Sequence, residues 1–151
     1  MVDERKAAEK RVADIESQLV LVAAKELLYS VTWASKERAL AYVHRNDDSL
    51  AFLVAIALEF TRLWTASEHA PKEHLVVLTS SPTSQTTKSV TVVLVFGSGD
   101  ASVKEVGETI KLKLGVKGGG KGPRWSGKWT GVWRPAKEGD LVDKAVRGIP
   151  I

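Results

Sequence analysis

The sequence predicts an α+β fold: a long N-terminal helix followed by a mixed β-sheet covered by helices, with a Gly-rich basic loop. Three observations carry this expectation. From Asp3 to Leu28 there is no glycine or proline, and apolar residues recur at helical spacing. Two β-branched runs, His74–Ser80 and Ser89–Phe96, are joined by a Ser/Thr/Pro linker, as in a hairpin. Amphipathic helical patterns stand on both sides of that hairpin, so the chain is not all-β.

The elements follow in order. Ala8, Val12, Ile15, Leu19 and Val22 repeat at alternating spacings of four and three, which places them on one helical face. That stripe packs on its own domain or on a second copy of the chain, and Glu26 interrupts it. Arg38–His44 reads as a strand around Leu40 and Tyr42. Asn46-Asp47-Asp48 forms a turn and Ser49 an N-cap. The helix that follows carries Leu50, Leu53, Ala57, Phe60 and Trp64 on one side, with Pro71 beyond its end. The Ser81–Ser89 linker is polar and reads as mobile. Asp100 can cap a helix that runs to Leu114 with Val103, Val106 and Ile110 inward, and Gly115 suits its C′ position. A strand over Lys128–Arg134 and a short helix over Asp140–Arg147 complete the pattern. Residues 1–35 thus form an N-terminal helical segment and residues 36–151 a globular α+β domain.

A chain of 151 residues is long enough to bury a real core, and 44% apolar with 26% charged residues is ordinary for a globular domain. The net charge is only +4, so any basic site is local. Cysteine is absent, which removes disulfides, thiolate nucleophiles and thiolate zinc ligands. Without a signal-peptide core or a long apolar run, the chain is expected to be cytoplasmic and to have no membrane contact. It opens inside a charged helical pattern, as a piece cut from a larger protein would.

The segment Gly115–Arg134 holds seven of the twelve glycines and three of the five tryptophans. Between Glu108 and Glu138 there are eight lysines and arginines and no acidic residue. Glycine lets backbone amides approach a ligand, cations attract phosphate, and tryptophan stacks on bases. The candidate nucleic-acid-binding residues are Lys117, Gly118, Gly119, Gly120, Lys121, Arg124 and Lys128. Trp125, Trp129 and Trp133 would share one strand face, which either anchors the segment on a helix or offers a stacking surface, leaving Lys128 and Arg134 on the other face. Trp33 and Trp64 sit in helical patterns and read as core.

Alternative chemistries fail on context. The run from Gly115 to Gly122 lacks the Ser or Thr that closes a P-loop, and a helix rather than a strand precedes it. Gly97-Ser98-Gly99-Asp100 lacks the third glycine of a dinucleotide fingerprint. His44, His69 and His74 do not have metal-site spacing, and Asp47-Asp48 reads as a solvated turn. No catalytic residue and no metal ligand is therefore assigned.

Leu114-Gly115-Val116-Lys117-Gly118-Gly119-Gly120-Lys121, following an amphipathic helix and a hairpin, resembles the C-terminal domain of alanyl-tRNA synthetases. That domain belongs to the DHH-associated superfamily and is also appended to long-form AlaX-type alanyl-tRNA editing proteins. The resemblance covers nearly the whole chain and implies a tRNA-contacting module, with Lys117–Lys121 facing the ligand. The synthetase pattern continues with arginine-proline and an alanine-glutamine-glycine run. Here Gly122-Pro123-Arg124-Trp125-Ser126-Gly127-Lys128-Trp129 follows instead, which favours an AlaX-like or otherwise divergent parent.

The resemblance thus implies a non-catalytic accessory domain that binds tRNA of the alanine type, within an aminoacyl-tRNA deacylase or synthetase-like parent. No cofactor is expected in this chain, and any zinc would belong to an upstream editing domain. A homodimer through the N-terminal helix is a second expectation. The alternatives are an oligomerisation or protein-interaction module, and the substrate-clamp half of a DHH-type phosphoesterase.

Overall fold

The computed structural model describes residues 2–69 and 72–151, and Pro71, expected beyond the second helix, lies outside them. The elements are α1 (Val2–Ser30), β1 (Thr32–Ser35), β2 (Arg38–Asn46), α2 (Leu50–Ala66), β3 (Glu73–Ser81) and β4 (Val90–Gly97). There follow α3 (Asp100–Leu114), β5 (Lys117–Lys121), β6 (Arg124–Thr130), a single π-helical turn (Pro135–Gly139) and α4 (Asp140–Arg147). The six strands form one mixed sheet in the order β1-β2-β3-β4-β6-β5. Among the described residues only β2 and β3 run parallel, because α2 carries the chain back between them. The fold is α+β, as the sequence predicts.

Each face of the sheet carries its own core. On one side Ala23, Ala24 and Leu27 of α1 and Leu53, Ile56, Phe60 and Trp64 of α2 pack on Ala39, Val76, Leu78, Leu94 and Phe96. On the other, Val103, Val106 and Ile110 of α3 and Val142 and Val146 of α4 pack on Leu75, Val77, Val93, Val95, Trp125 and Trp133. The alternation of β4, with Leu94 and Phe96 on one side and Val93 and Val95 on the other, follows from the period of two. Burial on both faces explains why β3 and β4 read as nearly continuous apolar runs.

Local signals hold at the helix ends. The Ser49 hydroxyl accepts from the Phe52 amide at 3.2 Å, and Gly115 closes α3 with φ 77°. Asp100, expected as a cap, is instead the first residue of α3. Gly99 takes the N-cap position and no side chain caps that end.

Four expectations are corrected. The stripe of α1 does not pack on its own domain: Val12, Ile15, Leu19 and Val22 are each 53–56% exposed. The neighbouring line of Val20, Ala23, Ala24 and Leu27 is the one that meets the body. Trp33 is not in a helical core but on edge strand β1, 39% exposed, since Val31 already lies outside α1. The Ser81–Ser89 linker is tied down: Gln85 accepts from the Trp133 amide at 2.6 Å and donates to the Trp133 carbonyl at 3.2 Å. The Gly-rich segment Lys117–Lys121 is a strand and not a loop.

Candidate nucleic-acid interface

The β5–β6 hairpin turns on Gly122 and Pro123, with Lys121 opposite Arg124. Gly122 has φ 66°, the left-handed value required at the first central position of a tight hairpin turn, and proline supplies the second. The hairpin is moored at both ends. The Pro123 carbonyl accepts from the Gly97 amide at 3.2 Å, and the Gly131 amide donates to the Ser89 carbonyl at 2.8 Å.

Pairing fixes the direction of each side chain. Residues opposite each other across strands share a sheet face. Arg124 opposes Phe96 and Lys128 opposes Val92, both on the α1/α2 side. Lys117 opposes Lys128 and Lys121 opposes Arg124, so the four cations share that face. Gly119 and Ser126 lie between the two cation pairs. All four cations are exposed, whereas Leu94 and Phe96 on the same face of β4 are buried. The helices on this side therefore cover the centre of the sheet and leave its β6–β5 margin open.

The three strand glycines divide into two kinds. A Cβ on Gly118 would stand 2.2 Å from the Ser126 carbonyl oxygen, and one on Gly120 2.3 Å from that of Arg124. Their lack of a side chain serves the close approach of β5 to β6. A Cβ on Gly119 meets nothing within 4 Å, so this glycine keeps the floor between the lysines flat.

The opposite face of the hairpin is anchored as the tryptophan spacing predicts, although by a different route. Trp125 and Trp129 project from β6 toward α3, and the Trp129 indole donates to the Leu114 carbonyl at 2.9 Å. Strand β6 spans Arg124–Thr130 rather than Lys128–Arg134, and Gly131 at φ 141° bends the chain after it. Trp133 reaches the same cluster from beyond that bend and packs edge-on against Trp129 at 5.6 Å. Arg134 consequently leaves the sheet face and pairs with the buried Glu138.

A second polar cluster lies on the α3/α4 side, and nothing in the sequence pattern singled it out. Thr79 bridges the Tyr42 hydroxyl at 3.0 Å and His44 Nδ1 at 2.7 Å, and His44 stacks on Trp133. Burial raises the Tyr42 pKa and lowers that of His44. Thr79 is fully buried, so its hydroxyl is out of reach of a substrate, and the cluster serves packing. Among the described residues no group of three His, Cys, Asp or Glu side chains is placed to hold a metal ion, and no helix is long and apolar enough to cross a membrane.

No family model matches the chain, and no curated protein does. Among solved structures, the C-Ala domain from Aquifex aeolicus alanyl-tRNA synthetase matches with a TM-score of 0.54 at 15% sequence identity. The match covers 79% of this chain and 99% of that domain. The chain is similar to this domain in fold.

Proposed function

We propose that this chain is a non-catalytic tRNA-binding accessory domain of an alanyl-tRNA editing protein of the AlaX type or of an alanyl-tRNA synthetase-like protein. The observation that carries the reading is the open face of the β5–β6 hairpin, where Lys117, Lys121, Arg124 and Lys128 project together. The two cation pairs are about 13 Å apart along the strands, four residues at the antiparallel rise. Gly119 and Ser126 leave a low floor between them, over which a phosphate backbone passes without obstruction. Arg124 offers a two-pronged contact to phosphate and the lysines offer point charges. Contacts of this kind position a nucleic acid without reading its sequence. Any choice of an alanine-type tRNA, and any deacylation or aminoacylation, is assigned to other parts of the parent protein.

Affinity for tRNA should fall steeply with salt. Lys117→Ala combined with Lys121→Ala should reduce the logarithmic salt slope by about two, one for each phosphate left without its lysine. Salt-insensitive binding, or an unchanged slope in the double variant, would refute this site.

A second reading concerns α1. Its exposed line of Val12, Ile15, Leu19 and Val22 has heptad spacing, and we propose that it pairs with a second copy of the chain. Arg11 and Glu16 flank the line in positions that would meet across a parallel pair. Sedimentation of the full chain should give a dimer, and Leu19→Asp should give a monomer with tRNA affinity per site retained. A monomeric wild type would remove this reading and leave the first intact.

A further inference from the structure

We propose that Trp33, flanked by Lys36 and Lys72, is a stacking site for one unpaired base of a single-stranded RNA segment. The inference rests on the reading of the chain as RNA-binding, and it assigns a second point of attachment far from the basic hairpin.

Trp33 is 39% exposed, whereas Trp64, Trp125 and Trp133 are buried. It lies on edge strand β1, whose four residues are all exposed. Its ring is nevertheless held in place. Trp64 packs against it at 5.9 Å in a tilted arrangement, and the His69 ring meets it edge-on at 5.2 Å. A tryptophan fixed from behind and open to solvent has already lost the rotamer freedom that stacking would otherwise cost.

The cations around it are free to act. Lys72 Nζ stands 5.2 Å from the centre of the Trp33 ring. The Lys72 backbone is fixed, because its carbonyl accepts from the Trp64 indole at 3.0 Å, so only its side chain needs to swing. Trp33, Ser35, Lys36, Glu37 and Lys72 line one shallow depression of net positive charge. Among the described residues neither Lys36 nor Lys72 forms an ion pair. A flat, electron-rich base stacked on the indole would displace the Lys72 ammonium, which would then meet the adjoining phosphate. Stacking of a base exceeds an exposed cation–π contact, so the exchange is favourable.

Trp33 shares a sheet face with the basic hairpin. It opposes Ala39, which opposes His74, and Ala39 belongs to the same α1/α2 side as Phe96, the partner of Arg124. The two sites are at opposite edges of the sheet, five strand spacings or about 24 Å apart. One RNA molecule that engaged both would route its unpaired segment past α1 and α2, which cover the sheet between them.

The test is a titration of the full chain with a short oligoadenylate RNA, read by tryptophan fluorescence and by anisotropy of a labelled RNA. Binding should quench fluorescence and protect it from acrylamide. By anisotropy Trp33→Leu should weaken binding about tenfold, while Trp33→Phe should keep an affinity close to wild type although it too loses the quenching. Lys117→Ala with Lys121→Ala should retain the quenching at saturation, which separates this site from the hairpin. If Trp33→Leu binds oligoadenylate as wild type does, or if RNA gives the wild-type protein no protection from acrylamide, the stacking site is overturned. The second measurement decides the matter even where the Leu variant fails to fold. Quenching by a Glu-rich peptide but not by RNA would overturn it in favour of a protein partner. Unchanged tRNA binding by the hairpin in any of these cases leaves the proposed function standing.

Discussion

Gly107 lies directly under the indole of Trp125: a Cβ at residue 107 would stand 2.4 Å from the indole Cγ. This pairing lets β6 seat on α3, and so it fixes the plane of the hairpin that carries the basic face. The opposing effects of Gly107→Ala can be weighed. Alanine gains about 1 kcal/mol of helix propensity, whereas overpacking a closed core costs about 1–3 kcal/mol. Trp125 is itself buried and pairs across the strands with buried Val95, so moving its ring disturbs the packed face of β4 and β6. Gly107→Ala should therefore lower the midpoint of thermal unfolding. A raised midpoint would mean that Trp125 moves aside, and that the fit is looser than the distance implies.

The glycines of β5 should separate in the same assay. Gly118→Ala and Gly120→Ala drive a methyl group into the backbone of β6 and should lower stability by about 1–3 kcal/mol each. Gly119→Ala places its methyl group in open space and should be neutral or slightly stabilising, because it restrains the unfolded chain. Equal effects at all three positions would count against this register of the hairpin.

The same glycines show where the sequence was legible and where it was not. Helices α2 and α3 could be read because each has an apolar line and an end signal, Ser49 before α2 and Gly115 after α3. The β3–β4 hairpin could be read because both strands carry short apolar runs rich in valine, separated by a polar Ser/Thr/Pro stretch. Strand β5 could not: Lys-Gly-Gly-Gly-Lys has no strand propensity, and only its partner β6 and the turn at Gly122-Pro123 hold it extended. The candidate cations could be named from sequence, yet their sharing of one face depends on cross-strand register. The exposure of Trp33 was illegible for a similar reason. Its neighbours Thr32, Ala34 and Ser35 form a strand too short and too polar to announce itself.

His74 should make the fold sensitive to mild acid. Its ring is buried among Phe60, Trp64 and Phe96, and among the described residues neither nitrogen has a hydrogen-bond partner. Burial lowers its pKa from 6.5 to about 4. The unfolded chain takes up a proton near pH 6.5 that the folded chain refuses until about pH 4, so stability falls across that window as pH drops. The total loss is on the order of 3 kcal/mol. Denaturant unfolding measured from pH 7 to pH 4 should show this slope in wild type and a shallower one in His74→Phe. Superimposable profiles would exclude His74 as the cause.

Lys117 faces Lys128, and Lys121 faces Arg124, directly across the β5–β6 hairpin. Like charges in opposed positions repel, so this hairpin is less stable than its backbone pairing would allow. A fold selected for stability alone would place a carboxylate in one member of each pair. Lys117→Glu does so, and it should stabilise the hairpin by about 0.2–1 kcal/mol through the new pair with Lys128. The same change puts a negative charge where a phosphate is expected to sit. Thermal stability and tRNA affinity should therefore move in opposite directions, with the midpoint rising slightly while binding weakens most at low salt. Lys117→Gln controls for the charge reversal and should fall between wild type and the Glu variant in both measurements. If Lys117→Glu raised stability and left affinity unchanged, the repulsion would be real but the face would not be the one that meets RNA.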